Sequence, residues 1–383
     1  MLEGLKVGVF ASYLLERVGR MMKHLIPSFL IVLLFLPGLA AAGITPFIVE
    51  DSGGAQLYPE VDGSVVVWRE PGDGTNQVVR AKDIEAGNVV LAKQTALYTW
   101  AETAVTGSLI IWSDAREGDF DVYGIDLPTG QERIIAQALN NQIGAAAGDH
   151  FVVWTDDRNS RTDVPPEQFN SDIYAMNLRT GQEIPVCTAP GLQNDPDVHG
   201  DFIVWADQRR FVPSLAPYVS HISGYDGTTG EEILIAEDTG EVHHVKPAVS
   251  GDIVVWVDLT PAGNNIMGFN LSTRETFQIH EGGSDTPDID GRYVVWSDTR
   301  NGADKDIWGY DLLTGEEFAI FLGPGNQKAP KISGNLVVWY TTIPGETPRV
   351  WAAYIPEPAS VGLLAAGGAM LAVRRRRRSH EQR

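Results

Sequence analysis

A short β-branched run ending in tryptophan recurs seven times along the chain: VVW at Trp68, IIW at Trp112, VVW at Trp154, IVW at Trp205, then VVW at Trp256, Trp296 and Trp339. Other positions keep register with it. A glycine stands five residues earlier at Gly63, Gly107, Gly200, Gly251, Gly291 and Gly334, and one residue further off at Gly148. A proline stands nine residues earlier at Pro59, Pro196, Pro247, Pro287 and Pro330. An aspartate follows at Asp114, Asp156, Asp207, Asp258 and Asp298, with Arg116, Arg158, Arg209 and Arg300 soon after. D-V-Y at Asp121, D-I-Y at Asp172 and D-I-W at Asp306 come next, and Thr-Gly pairs at Gly130, Gly181, Gly230 and Gly315 close the unit.

Period-two alternation and β-branched residues predict four strands per unit: A (P-x-V/I-x-G), B (VVW), C (D-I-Y-x-x-D-L) and D (E-E-x-x-I). Thr-Gly supplies a tight C–D hairpin. Four antiparallel strands per unit of this length is the pattern of a propeller blade. The seventh unit lacks strand D and ends near Tyr354, while Ile44–Val49 is free to supply it and remove two open edges. The expected fold is all-β: a seven-bladed β-propeller over 43–355, closed by an N-terminal strand. Six blades, with an irregular first unit, is the alternative; a flat β-sandwich fits repeats this regular less well.

Residues serving every blade alike read as structural. The tryptophan is expected to pack between blades. The aspartate is expected to accept from backbone N–H groups of the next turn, and the arginine to pair with an aspartate of the next strand. Function is sought where repeats differ. The B–C connection lengthens in the third and fourth units, which carry Arg158, Arg161, Arg209, Arg210, Phe169, Phe211 and Tyr218: a basic, aromatic patch. The D–A connection bordering the channel carries Gln56, Gln142, Gln193, His244, Ser284 and Gln327, with Asn141, Asn194, Asp285 and Lys328 beside them. From these the candidate ligand or partner surface is Arg158, Arg161, Arg209, Arg210, Phe211, Tyr218, Gln142, Asn194, His244 and Asp285. His243-His244 is weak for a metal, because neighbouring strand residues point to opposite sides. No G-x-S-x-G, H-E-x-x-H, Walker or dinucleotide motif is present, so no catalytic residue, metal or cofactor is assigned. The single cysteine, Cys187, rules out a disulfide scaffold and reads as a core residue.

Charge separates the ends from the middle. Residues 43–358 hold 19 basic and 47 acidic residues, a net of −28. That excludes nucleic acid as a partner, since phosphate contacts need clustered Lys and Arg. Lys23 and His24, an apolar run from Leu25 to Leu39 and Ala40-Ala41-Ala42 predict a signal peptide within 1–42. The twenty residues before Met21 add nothing to it, which predicts a true start at Met21 or Met22. At the other end, 356–383 reads Pro356-Glu357-Pro358, an apolar run from Ala359 to Val373, then Arg374, Arg375, Arg376, Arg377 and Arg378. Its physics is a short inserted segment held by positive-inside charge.

That tripartite tail resembles the PEP-CTERM sorting signal of Gram-negative bacteria that export extracellular polysaccharide. The resemblance implies a sorting protease of the exosortase type as partner, and transient anchoring in the inner membrane through the tail. It also implies a destination at the outer surface or in the extracellular matrix. The repeat W-S-D-x-R-x-G-x-x-D-I-Y-x-x-D-L-x-T-G-E resembles the TolB-type propeller repeat over nearly all of 51–354. That implies fold more than function. The expected function is a non-enzymatic binding or scaffold protein, with polysaccharide or another surface protein as possible ligand. A carbohydrate-active lyase or hydrolase, and a periplasmic envelope-complex partner, are the alternatives.

Overall fold

The computed structural model describes residues 43–73, 76–95, 103–160, 169–209 and 219–356. Outside them fall the signal segment 1–42, the sorting residues Glu357, Pro358 and Arg374 to Arg378, and Arg161, Arg210, Phe211 and Tyr218. Among the described residues there are twenty-eight strands in seven four-stranded antiparallel sheets. Strands β2–β5 span 57–95, β6–β9 span 103–136, β10–β13 span 142–187 and β14–β17 span 193–236. Strands β18–β21 span 243–280, β22–β25 span 284–321 and β26–β28 span 326–354. The seventh sheet has the order β1-β28-β27-β26, so β1 (Phe47–Ile48) is its outer strand. Phe47 pairs with Ala352 and Ile48 with Trp351, and Val49 N–H donates to the Val350 carbonyl at 3.0 Å. The ring has seven blades and is closed by the N-terminal strand. The first blade is as regular as the rest, which removes the six-bladed alternative.

The tryptophans hold the blades together. Each is at most 1% exposed, and each sits in its own apolar cluster with the preceding blade. Trp205 packs with Phe151, Val153 and Ile173 of blade 3, and Trp68 packs with Val338 and Tyr340 of blade 7. Glycines of the C–D turns sit at φ between 66° and 75° (Gly130, Gly181, Gly230 and Gly315), as the Thr-Gly signal requires.

Two recurrent devices are silent in the sequence pattern. One is a set of hydrogen bonds between inner strands of successive blades. In four blades the residue before the turn glycine accepts from the equivalent glycine of the next blade: Asp290 from Gly334 N–H at 2.6 Å, Asp62 from Gly107 at 2.5 Å, and Ser250 from Gly291 and Ser333 from Gly63, both at 2.9 Å. The other is a glycine inside strand C that lets an aromatic side chain of strand D lie across the sheet. A Cβ on Gly268 would stand 2.4 Å from Phe277 Cζ. Gly268→Val should therefore displace Phe277 and lower the melting temperature, by about 1–3 kcal/mol of stability. Phe277→Ala in the same background should restore tolerance of the valine.

Candidate functional site

The repeated aspartate is the hub of a buried lock. Trp154 Nε1 donates to Asp156 Oδ2 at 2.8 Å, and Arg158 N–H donates to Asp156 Oδ1 at 2.9 Å, as expected for a turn following strand B. The arginine departs from expectation. It does not pair with the aspartate of the next strand. Arg158 bonds back to Asp156 at 2.7 Å and out to Glu183 of strand D at 2.7 Å, with its guanidinium 4.0 Å above the Tyr174 ring. The same lock recurs as Trp112–Asp114–Arg116–Glu132 over Tyr123 and as Trp296–Asp298–Arg300–Glu317 over Trp308. The physical reason is register: strand C brings its aromatic beside the B–C turn, and the guanidinium lies flat on that ring until it meets strand D. Burial works against the charge of Arg116, Arg158 and Arg209, but bonds to the aspartate and glutamate outweigh it and hold the three more firmly protonated than usual. Arg209 has the equivalent pair with Asp207 and Glu232, and also donates to Cys187 Sγ at 3.2 Å. Cys187 is buried, which pushes its thiol up to about 11.

Blade 5 has Thr260 at the arginine position, and its aspartate is met instead by a histidine of the inner strand. His244 Nδ1 lies 2.6 Å from Asp258, which also accepts from Trp256. His243 points elsewhere and meets Asp238 at 2.7 Å, so the pair is divided as strand geometry dictates. The D–A glutamines are buried latches. Gln142 Nε2 donates to the Asn140 carbonyl at 3.1 Å while its Oε1 accepts from Ala138 N–H at 2.9 Å, and Gln327 holds its own loop likewise. Asn194 accepts from Ser171 Oγ at 3.2 Å. Of the ten surface residues chosen from sequence, Arg158, Arg209, Gln142 and His244 thus hold blade structure, and Asp285 faces the channel mouth.

That mouth is built on strained backbone. In six blades the inner strand bulges two residues after its latch, and the bulge residue has positive φ: Tyr58 at 51°, Gly144 at 64°, Asp195 at 51°, Lys246 at 53°, Thr286 at 47° and Ala329 at 47°. Five of the six are not glycine, and such strain persists only where the surroundings over-determine it. A constant backbone carrying six different residues is a display ring. Around it Lys246 Nζ and Lys305 Nζ each reach Asp285 at 2.6 Å. Lys328, one residue after the blade 7 latch as Asp285 is in blade 6, makes no ion pair among the described residues. Tyr58 is 40% exposed, with its ring 5.3 Å from that of Tyr340. Register places Lys328 directly opposite Tyr340.

Deeper in the channel, Lys331 lies 3.3 Å from Glu60 and 3.8 Å from Asp288, yet its side chain is 36% exposed: the channel is walled by protein and wetted. Asp288 accepts from Ile332 N–H at 2.8 Å and Asp197 from Val249 N–H at 2.7 Å, each tying one blade to the next. Burial, with nearby Asp197 adding to it, pushes the Asp288 carboxyl up to about 6 against the pull of Lys331. A carboxyl whose folded pKa exceeds its unfolded one binds more protons when folded, so its contribution falls as pH rises from about 4 through about 6. Asp288→Asn should gain on the wild type across that window, by about 1–2 kcal/mol, read as converging, then crossing, melting curves against pH. A constant offset at every pH would contradict it.

Among the described residues no three His, Cys, Asp or Glu side chains come together to hold a metal ion. A separate cavity of about 310 Å³ opens on the opposite face, between blades 4 and 5, lined by Asp201, Asp226, Glu231, Asp252 and Arg274.

The solved structures that this ring is similar to are propellers of several activities. The β-propeller domain of the Trilobed protease from Pyrococcus furiosus, described as an open velcro topology, superimposes with a TM-score of 0.61 at 13% identity. The match covers 78% of this chain and 93% of that one. Oligogalacturonate lyase in complex with manganese gives 0.59 at 12% identity over 82% of this chain and 91% of that chain. Acylaminoacyl peptidase from Pyrococcus horikoshii gives 0.59 at 12%, covering 78% of this chain but only 51% of that chain. At such identities the likeness is one of fold. No protein-family model and no curated protein sequence matches the chain.

Signals for the missed residues were present. Lys246 and Tyr58 each precede the repeat proline, and Asp197, Asp288 and Lys331 each follow it by one residue. Aligning those columns exposes two variable positions on either side of a fixed proline.

Proposed function

We propose that the protein is an exported, non-enzymatic binding propeller of the cell surface or the extracellular polysaccharide matrix. One observation carries this reading. The two ends of the ring emerge together: a Cβ on Gly43 would lie 3.3 Å from Pro356 Cγ, on the face of the C–D turns. The varied, strained display ring lies on the opposite face. The two ends of the described ring therefore leave from one side, and a propeller tethered through either end would turn its mouth outward.

The tail, with its likeness to PEP-CTERM signals, gives the route: an exosortase-type protease removes it after transient anchoring in the inner membrane. The TolB-type likeness of the repeat is compatible with the same scaffold. The aspartates that follow the repeat tryptophans, Asp114, Asp156, Asp207 and Asp298, are occupied in tryptophan–arginine locks and are not free for acid–base work, which supports binding over catalysis at those positions. A lyase or hydrolase reading draws only on the fold likeness to oligogalacturonate lyase.

The test has two readouts. Intact mass of the exported protein should show a form without Arg374 to Arg378, and Pro356→Ala with Pro358→Ala should trap the longer form. Incubated with matrix polysaccharides, the protein should bind without releasing new reducing ends. A mature form that keeps the arginines overturns the sorting route; turnover overturns the non-enzymatic reading.

A further inference from the structure

The propeller region 43–358 contains only six lysines, and four of them, Lys246, Lys305, Lys328 and Lys331, gather at the channel over blades 5 to 7. The other two are committed to blade structure: Lys82 to Glu50 at 2.8 Å and Lys93 to Glu132 at 2.6 Å. Lys331 is likewise compensated, by Glu60 and Asp288. At the mouth Asp285 bridges Lys246 and Lys305, Asp195 also lies close to Lys246, and Lys328, opposite Tyr340 on the neighbouring strand, adds a further lysine with no ion pair among the described residues.

Crowding like charges is unfavourable, and one lysine would satisfy Asp285. Each ammonium has three donors, and the carboxylate uses one from each of two. Donors remain, converging on a wetted opening in a protein whose overall field repels anions. Lys246 stands on a bulge residue with φ of 53°, and Tyr58 on its counterpart in blade 1 at 51°. The strained ring thus presents an ammonium group and, on another blade, an exposed aromatic ring.

We propose that this mouth binds the carboxylate groups of an acidic saccharide. Lys246 and Lys305, held in place by Asp285, are the anion contacts together with Lys328, and Tyr58, whose ring has the Arg69 guanidinium 4.6 Å from its centroid, offers its exposed part as the wall for a sugar ring. The inference rests on the binding reading above and names its ligand class. Lysine suits it as a point charge that follows carboxylates along a flexible chain. An exposed tyrosine beside the lysines favours a ring-bearing polyanion over a flexible acidic peptide.

The experiment is titration of the full chain, solubilised in detergent, with short alginate oligosaccharides. The controls are the same oligosaccharides with their carboxyls reduced to alcohols, and polyglutamate. Alginate should bind, more weakly at high salt, and the reduced form should not. Lys328→Ala and Lys246→Ala should each weaken binding about tenfold, Lys328→Arg should retain it, and Tyr58→Ala should weaken alginate but not polyglutamate. Melting temperature certifies each variant as folded; among the described residues Lys328 has no ion pair to lose.

Failure to bind alginate, unchanged affinity in both lysine variants, or equal binding of the reduced sugar would overturn the proposal. Polyglutamate bound as tightly, with Tyr58→Ala inert towards both, would overturn the saccharide assignment. Binding of a neutral matrix polysaccharide that ignores the lysines sinks this inference and leaves the binding function standing. Turnover that the lysine variants abolish does the reverse.

Discussion

Removing residues 44–49 should cost the protein on the order of 5 kcal/mol and about 8 °C in melting temperature. The argument is additive. Val49 and Ile44 are buried, and each belongs to a cluster spanning two blades: Val49 sits with Trp68 and Val338, Ile44 with Trp339 and Val295. Burying such a side chain contributes about 1.5–3 kcal/mol. The deletion also strips β28 (Arg349–Tyr354) of its outer partner, leaving a row of unpaired backbone groups in the only blade assembled from both ends of the ring. A bare edge of that kind is a template for association, so the deleted protein should also aggregate on heating. An unchanged melting temperature would mean that the ring does not depend on its closing strand.

The second large effect should come from Asp156. Its carboxylate is fully buried and collects the Trp154 indole N–H, the Arg158 backbone N–H and the Arg158 guanidinium. Asp156→Ala leaves all three donors facing a cavity, and one of them is charged. Breaking a buried pair from one side costs about 3–5 kcal/mol. Asp156→Asn should recover part of that loss, because an amide oxygen still accepts. Arg158→Ala should cost less, as the guanidinium is partly solvated and the carboxylate keeps two donors. It should cost about as much as Arg116→Ala, since the two locks share their geometry. Urea titration decides it. A loss below about 1 kcal/mol for Asp156→Ala would show that the lock is ornamental, and would return Arg158 to the pool of ligand-binding residues.

The blade count, the closing strand and the inter-blade tryptophans were legible because repetition multiplies a weak local signal seven times. Trp68 alone says little; seven tryptophans in register with glycine and proline specify a ring. The arginine's partner was not legible. Glu183 meets Arg158 only because strands C and D align so that the guanidinium can cross Tyr174, and side-chain reach across a sheet is invisible to spacing. The channel mouth was half legible. Asp285 and Lys328 stood out as positions where units disagree, and both face the mouth. Lys246, Lys305 and Tyr58 join them only through ring closure, which brings blades 5, 6, 7 and 1 around one opening. The glutamine column misled for a related reason: polarity at a loop start reads as exposure, whereas Gln142 and Gln327 are buried to latch backbone carbonyls.

Hydrogen–deuterium exchange of the full chain, with and without alginate oligosaccharides, tests most directly whether this is a binding propeller that works through its mouth. Slowed exchange should be confined to the starts of the inner strands of blades 5 to 7, around Lys246, Asp285 and Lys328, with the C–D turns at Gly230 and Gly315 unchanged. Protection at those turns, or around the cavity lined by Asp201 and Asp252, would place the ligand on the opposite face and contradict the account.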